Sequence, residues 1–455
     1  MPRPRTSPIR NAMLAARIAE LGGGYASIAA AINRVGREGG AAVRCTASSL
    51  AKWINGVVPA RGTLPFAVEA FARLLDRPTL SAADLGWDTP AGAPPDDPWR
   101  GDPVTWIATL GRDDMLNRRT ALTTGLYSLA AAALPARSSR PPARPGPARS
   151  AGPSDVERIR MMGDAFNEMD DRYGGGHGRG VVAAYLTQEV VPLLHGTSGK
   201  ARPALFTAAA EVTYLLAWMA ADDVQPGLSQ RYYIQAVRLA EEAGNRDMRS
   251  TALRSLAVQA IELGHNAPGL AFAEAAAEGL PPGSPARRRA WITGMCAEAL
   301  AASGFDRRGA RKLLHQAEVD LERADSLPEH EWTGNYRRES YEHQVGLTLA
   351  QLGDLSGAEE HYALSVGSRR PVERRTRALI GARLAQVQLR QGRADDAAAT
   401  VLAHAADVEA VRSQRVQRLL IEIRRGWRMA SRDPVVARAD HRVAHMLRHG
   451  GRPDR

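Results

Sequence analysis

Apolar positions recur at helical spacing almost from the start of the chain. Ile9, Met13, Leu14, Ile18 and Leu21 predict a helix over 9–21, closed by Gly22-Gly23-Gly24. Ile28 and Ile32, four residues apart, predict a second helix over 25–33, followed by a glycine-rich stretch from Gly36 to Gly40. Thr46 opens a third (TASSLAKWIN) with Leu50, Trp53 and Ile54 on one face. Asn55-Gly56 supplies its stop, since glycine tolerates the left-handed backbone that ends a helix. Pro65 begins a further helix through Leu75, and Asp84-Leu85-Gly86-Trp87 closes the unit.

Residues 88–103 are rich in Pro, Gly and Asp and predict a linker, and a short helix is expected from about Asp113 to Leu134. Residues 135–153 hold six prolines and no large apolar side chain, which predicts a flexible basic tether. From Ser154 onward the pattern is helical and one motif returns. Small and apolar positions lead to a glycine, then a small residue, then an aromatic or apolar one. Copies are Leu256-Ala257, Gly264, Gly269, Ala273; Ala297, Leu300, Gly304, Gly309, Leu313; Val345-Gly346, Leu349, Gly353, Ala358, Tyr362; and Leu384-Ala385, Gly392, Ala397, Val401. The glycines at 264, 304, 353 and 392 recur at a period of about forty. The internal spacing is that of a tetratricopeptide (TPR) repeat, so helix pairs stacked in series are expected.

Composition sharpens this picture. Of 455 residues 44% are hydrophobic but only 5% aromatic, with much Ala and Leu, which favours helices over strands. The two cysteines, Cys45 and Cys296, are far apart and give no disulfide or zinc motif. Arg17 and Glu20 interrupt the first apolar stretch, so no secretory core forms. The longest apolar stretch, Leu126 to Leu134, is too short to span a bilayer. A cytoplasmic protein without a membrane partner is expected.

The net charge of +11 is segregated. Residues 1–61 carry +7, residues 135–153 carry +4 and residues 412–455 carry +8, leaving −8 on the body. Basic ends suit an anionic polymer. The third helix offers Thr46, Ser48, Ser49 and Lys52 opposite its apolar face, flanked by Arg44 and Arg61. Hydroxyls can meet bases or phosphates, and Lys and Arg can meet guanine or phosphate, so these six are the candidate DNA-binding residues.

The stretches YASIAAAINRVGREGG, CTASSLAKWINGVVPARG and AVEAFARLLDRPTLSAADLGW, within 25–87, resemble the N-terminal domain of a large actinobacterial regulator family. That family is similar to lambda-repressor-like (XRE-type) helix-turn-helix domains, with an enlarged connection before the recognition helix. Trp53, Gly56 and Pro59 stand where members carry a Trp, a Gly-containing turn and a Pro. Residues 170–194 (DDRYGGGHGRGVVAAYLTQEVVPLL) and 218–245 (WMAADDVQPGLSQRYYIQAVRLAEEAGN) resemble the middle region of the same family, which includes NsdA-like negative regulators. Val224-Gln225-Pro226 and Ser229 depart from its pattern. The resemblance implies transcriptional regulation.

Other constellations carry less. Gly196-Thr-Ser-Gly-Lys200 is too short for a phosphate loop and has Ala201 where a hydroxyl belongs. Gly174-Gly175-Gly176-His177 reads as a tight connection, with His177 or Asp170-Asp171 bonding the turn. His441, His445 and His449 share a helical face without an acidic ligand, and read as part of a basic C-terminal surface. Asp222, Asp223, Arg231, Tyr232 and Tyr233 are candidates to line an effector groove, weighed against plain packing. No catalytic arrangement is visible, so no enzyme and no cofactor are expected.

The expected architecture is all-α: a lambda-repressor-like helix-turn-helix domain over 1–90, a linker over 91–153, a TPR-like α-solenoid over 154–430, and a basic C-terminal helix and tail over 431–455. The expected function is a DNA-binding regulator, on balance a repressor, acting as a homodimer on double-stranded DNA. Its array would bind a peptide, protein or small-molecule effector. The alternative is a TPR-like interaction scaffold without sequence-specific DNA binding.

Overall fold

A computed structural model describes residues 10–39, 41–60, 62–78, 80–87, 97–116, 126–134, 151–324, 336–411, 413–430 and 433–449. Among them every regular element is helical. They divide into two compact units, one drawn from 1–101, 116–141 and 225–231, the other from 102–115, 142–224 and 232–455.

The first unit is built on α1 (Ala12–Leu21), α2 (Tyr25–Glu38), α3 (Ala47–Ile54) and α4 (Leu64–Leu74). Leu14, Ile28, Ile32, Leu50, Trp53, Phe66, Phe71 and Trp87 form one buried core. Trp87 sits edge-on to Trp53 with ring centroids 5.7 Å apart, a favoured aromatic geometry. Asn11 joins the ends of the unit. Its carbonyl oxygen caps α1 by accepting from the Leu14 amide at 3.0 Å, while its amide nitrogen donates to the Leu85 carbonyl at 2.9 Å. α2 runs on to Glu38, past the expected end at Asn33, because Val35 adds another turn to the buried face.

The expected helix near 113–134 is instead two segments: α5 (Pro103–Leu116) and the single turn α6 (Leu129–Ala132). The reason is burial: Val104, Ile107 and Leu110 give α5 its own apolar face, beginning ten residues earlier than the sequence suggested. α6 is held by α4. The Glu69 carboxylate accepts from the Leu129 amide at 3.1 and 3.3 Å, satisfying a donor that a helix start leaves open. Gln230 seals the same segment by accepting from the Ser128 amide and donating to its carbonyl, both at 2.8 Å. Most of the stretch expected as a basic tether, residues 135–150, lies outside the described residues.

The second unit continues through α7 (Pro153–Tyr173), α8 (Gly175–Tyr185), α9 (Val191–Gly196), α10 (Arg202–Asp222) and α11 (Pro226–Ala243), whose first turn belongs to the first unit. Four helix hairpins then follow in series: α12 (Arg246–Glu262) with α13 (Asn266–Gly279), α14 (Ala286–Ser303) with α15 (Arg307–Glu322), α16 (Arg338–Gln351) with α17 (Leu355–Ser368), and α18 (Arg374–Arg390) with α19 (Ala394–Ala403). The arrangement is solenoid-like. Gly264, Gly304, Gly353 and Gly392 turn the hairpins with φ between +73° and +82°, the left-handed backbone that glycine supplies without strain. The small residues beyond the turns let the helices close. A Cβ on Gly269 would stand 2.6 Å from Ile261 Cγ1, and Ala358 and Ala397 are fully buried. After the short α20 (Ala405–Ala410), α21 (Gln414–Gly426) and α22 (Pro434–His449) complete the last core with Trp427, Val436 and Val443.

One helix is longer than the apolar stretch from Leu126 to Leu134: within residues 199–222 an 18-residue window has a mean hydropathy of 1.4, enough by length and composition to cross a membrane. Glu211 interrupts the run and hides it from a count of consecutive apolar residues. That 18-residue window is 78% buried inside the fold, as a core helix would be. Asp170 bonds the glycine turn through its carbonyl, which accepts from the Gly174 amide at 2.8 Å, while the carboxylates of Asp170 and Asp171 pair with Arg375 of α18, at 3.3 and 2.9 Å.

Candidate functional site

Two surfaces merit attention, one in each unit. In the first, α3 is fixed from behind. Leu50, Trp53 and Ile54 anchor it in the core, and the Ile54 carbonyl accepts from the amides of Arg10 and Asn11 at 3.1 and 2.9 Å. The long connection from α2 is pinned by Asn33, which accepts from the Cys45 amide at 2.7 Å and donates to the Cys45 carbonyl at 2.8 Å. Gly36 lets that connection approach, since a Cβ there would stand 2.6 Å from Val43 Cγ2.

The structure brings Arg44, Thr46, Ser48, Ser49 and Lys52 together along and before α3, with Arg44, Thr46, Ser48 and Lys52 exposed and Ser49 half-buried. Arg61 lies outside the described residues. Thr46 and Ser49 have a task that the sequence reading did not give them. The Ser49 amide donates to Thr46 Oγ1 at 3.3 Å and the Thr46 amide donates to Ser49 Oγ at 3.2 Å, a reciprocal cap of α3. Ser48 and Lys52 make no such bond within the helix start. Val57 and Val58, just beyond α3, are about half exposed and went unnoticed in the sequence.

The second surface is a cavity of about 910 Å³ in the helical array. It is lined mainly by the first helix of each hairpin, α12, α14, α16 and α18, together with α7, α10 and the start of α21. Aromatic and arginine side chains alternate around it. Arg254 lies over the Trp291 ring with its guanidinium carbon 4.2 Å from the centroid, and Arg375 lies 5.2 Å over Trp218. Most of these cations are neutralised. Glu262 accepts from Arg383 and from Arg415; burial alone would raise its carboxyl, but the two guanidiniums outweigh that and hold it below the usual range. Arg375 has Asp170 and Asp171. Burial pushes Asp170 up to about 7 against the pull of Arg375. His343 is driven well below the usual histidine range by burial and by Arg383, Arg369, Arg415 and Arg254 around it.

The residues expected to line an effector groove lie elsewhere. Asp222 is 2% exposed and accepts from the Ser413 hydroxyl at 2.7 Å. Asp223 pairs with Arg179 at 3.2 Å. Tyr232 is fully buried and donates to Asp114 at 3.3 Å. Arg231 is buried in the first unit, and Tyr233 is buried against Tyr214. None of the five lines the cavity. The cavity's own lining is scattered from 164 to 415 and has no short signature. No group of three or more His, Cys, Asp or Glu among the described residues is placed to hold a metal, His441 and His445 included.

No curated protein matches the chain. Residues 14–88 match the family model described as SP15 N-terminal domain, a likeness that covers α1 to α4 and the closing turn at Trp87.

Proposed function

We propose that the chain is a cytoplasmic DNA-binding transcriptional regulator, a repressor in its basal form, that acts as a homodimer on double-stranded DNA. The observation that carries this reading is the presentation of α3. It is locked by Leu50, Trp53 and Ile54 and by the Asn33–Cys45 clamp, while Arg44, Ser48 and Lys52 face outward on a segment of net charge +7. A helix held so firmly at its back is suited to the major groove, where a Ser hydroxyl or Lys ammonium reads base edges and the flanking Arg neutralises phosphate. The apolar tips of Val57 and Val58 are suited to thymine methyl groups. The resemblance of residues 25–87, read from the sequence, to a regulator family similar to XRE-type domains supports the same reading.

The array supplies the effector half of the proposal. Its cavity offers arginines and aromatic faces to a ligand, and occupancy would change how paired N-terminal domains are presented. A dimer is required because one small domain makes few phosphate contacts and a symmetric pair doubles them. The cavity also favours a second reading, an interaction protein that binds through its array and not through DNA.

The test is in vitro selection from random duplexes by the full-length protein beside a Ser48→Ala/Lys52→Ala variant. Ser49 is left intact because it caps α3. The proposal expects an enriched, symmetric motif that the variant loses; equal motif-free recovery by both proteins favours the interaction reading.

A further inference from the structure

Five of the cavity's arginines have carboxylate partners. Arg375 takes Asp170 and Asp171, Arg383 and Arg415 share Glu262, and Arg369 and Arg370 pair with Glu373 at 3.3 and 3.4 Å. Arg254 differs. Among the described residues no carboxylate lies within ion-pair distance of it, and its side-chain hydrogen bond goes to the neutral Gln344 at 3.2 Å. Its Nε has no partner among the described residues. Glu298 is reached only through Gln344, which spends its own amide on that carboxylate. Arg254 is half-buried with its Nε shielded from water; a guanidinium so placed without a carboxylate in contact is costly, and burial pushes it below the usual arginine range.

A second observation points the same way. Tyr336 lines this cavity, is 3% exposed, and its hydroxyl has no hydrogen-bond partner among the described residues. His343 Nε2 is unpartnered too, and four arginines act on that ring. Unpaired buried polar groups of this kind are unusual in a finished core. Together they form a set of donors in a positive field. The walls add Trp291 and Trp218, whose faces carry guanidinium groups and suit a flat ring. The volume, about 910 Å³, is within the range of small-molecule sites.

We propose that this cavity binds a planar aromatic small molecule carrying a carboxylate or phosphate, the anion at Arg254 and Tyr336 and the ring against Trp291. The inference deepens the effector half of the proposed function and rests on it only for its regulatory meaning; binding itself does not require DNA.

The test is calorimetric titration of the full chain, without DNA, using 1-naphthoate, 1-naphthyl phosphate and the uncharged 1-naphthalenemethanol. The expected result is saturable one-to-one binding of at least one anion, with the neutral compound weaker by about tenfold or more. Preference between the two anions distinguishes a carboxylate ligand from a phosphate. Arg254→Gln should weaken the anion by about tenfold and leave the neutral compound unchanged, while Trp291→Leu should weaken both. Equal binding of charged and uncharged probes overturns the proposal, as does wild-type anion binding by Arg254→Gln, or no saturable binding at all. If circular dichroism shows Arg254→Gln to be unfolded, the charge preference of the native chain and the Arg254→Lys variant, expected at intermediate affinity, still decide it. A chain that binds the anion but selects no DNA motif retains this site and loses only the regulator reading.

Discussion

Thr46 and Ser49 cap α3 reciprocally, each hydroxyl accepting from the other residue's amide. The arrangement assigns Ser49 to helix stability and leaves Ser48 for contact with a partner. Ser49→Ala is expected to destabilise α3 by about 1 kcal/mol, the usual worth of such a cap. Ser48→Ala should cost less than about 0.5 kcal/mol. Hydrogen exchange of the α3 amides in the full chain reads this directly. Equal protection in both variants would mean that the cap contributes nothing.

Arg73 is the hub of a partly buried ionic cluster. It donates to Glu69 at 2.9 Å, to Glu38, and to the Tyr127 carbonyl at 3.1 Å. Glu69 is only 5% exposed. Arg73→Met should therefore cost about 3–5 kcal/mol, since it strands a buried carboxylate. Adding Glu69→Gln should recover part of that loss. Urea unfolding followed by tryptophan fluorescence gives both numbers; a double variant no more stable than the single one would refute the coupling.

Glu211 makes stability depend on pH. Burial, opposed by Arg160, raises its carboxyl from 4.5 to about 7. Between those values the folded chain holds a proton that the unfolded chain has released. Stability must fall as pH climbs through that window and level off above it, at a slope on the order of 1.4 kcal/mol per pH unit for one group. Asp170, raised to about 7 as well, adds a fall of the same sign. Glu211→Gln should remove its own share and make the protein more stable at pH 8 than the native chain. Identical pH profiles for the two proteins would remove Glu211 as the cause.

Val224 holds φ at +53°, a left-handed backbone that a β-branched residue adopts at a cost. Val224→Gly should raise stability by about 1 kcal/mol, after allowance for glycine's greater freedom in the unfolded chain. A variant that melts lower than the native chain would show that the valine side chain contributes more packing than its backbone costs.

Much of the fold was legible because its signals are local. Gly264, Gly304, Gly353 and Gly392 mark turns by the backbone they permit, and Leu50, Trp53 and Ile54 mark a buried face by spacing alone. The start of α5 was not legible, because Trp99 and Val104 lie in a Pro- and Gly-rich stretch that reads as linker until their burial is known. Glu69 and Arg73 stand one helical turn apart on α4, a spacing that gives no sign that the Leu129 amide, sixty residues on, meets Glu69. The α3 surface could be nominated from sequence since its residues are consecutive. The cavity could not, because Trp218, Arg254, Trp291 and Tyr336 are far apart in sequence and line one cavity only once the helices stack. The tyrosines and aspartates nominated in their place sit in the core for the same reason that made them conspicuous: a dense apolar and polar mixture on α10 and α11 is what helix packing there requires.

The most direct test of the central claim is the ratio of affinities of the full-length protein for a selected duplex and for its scrambled counterpart, measured at physiological salt. A base-reading α3 should give a ratio of about 10³ or more for the native chain. Ser48→Ala/Lys52→Ala should lower it at least about tenfold by weakening the selected duplex. Equal affinity for both duplexes, with the same steep salt dependence in native chain and variant, would show nothing beyond nonspecific attraction to phosphate and would contradict the claim.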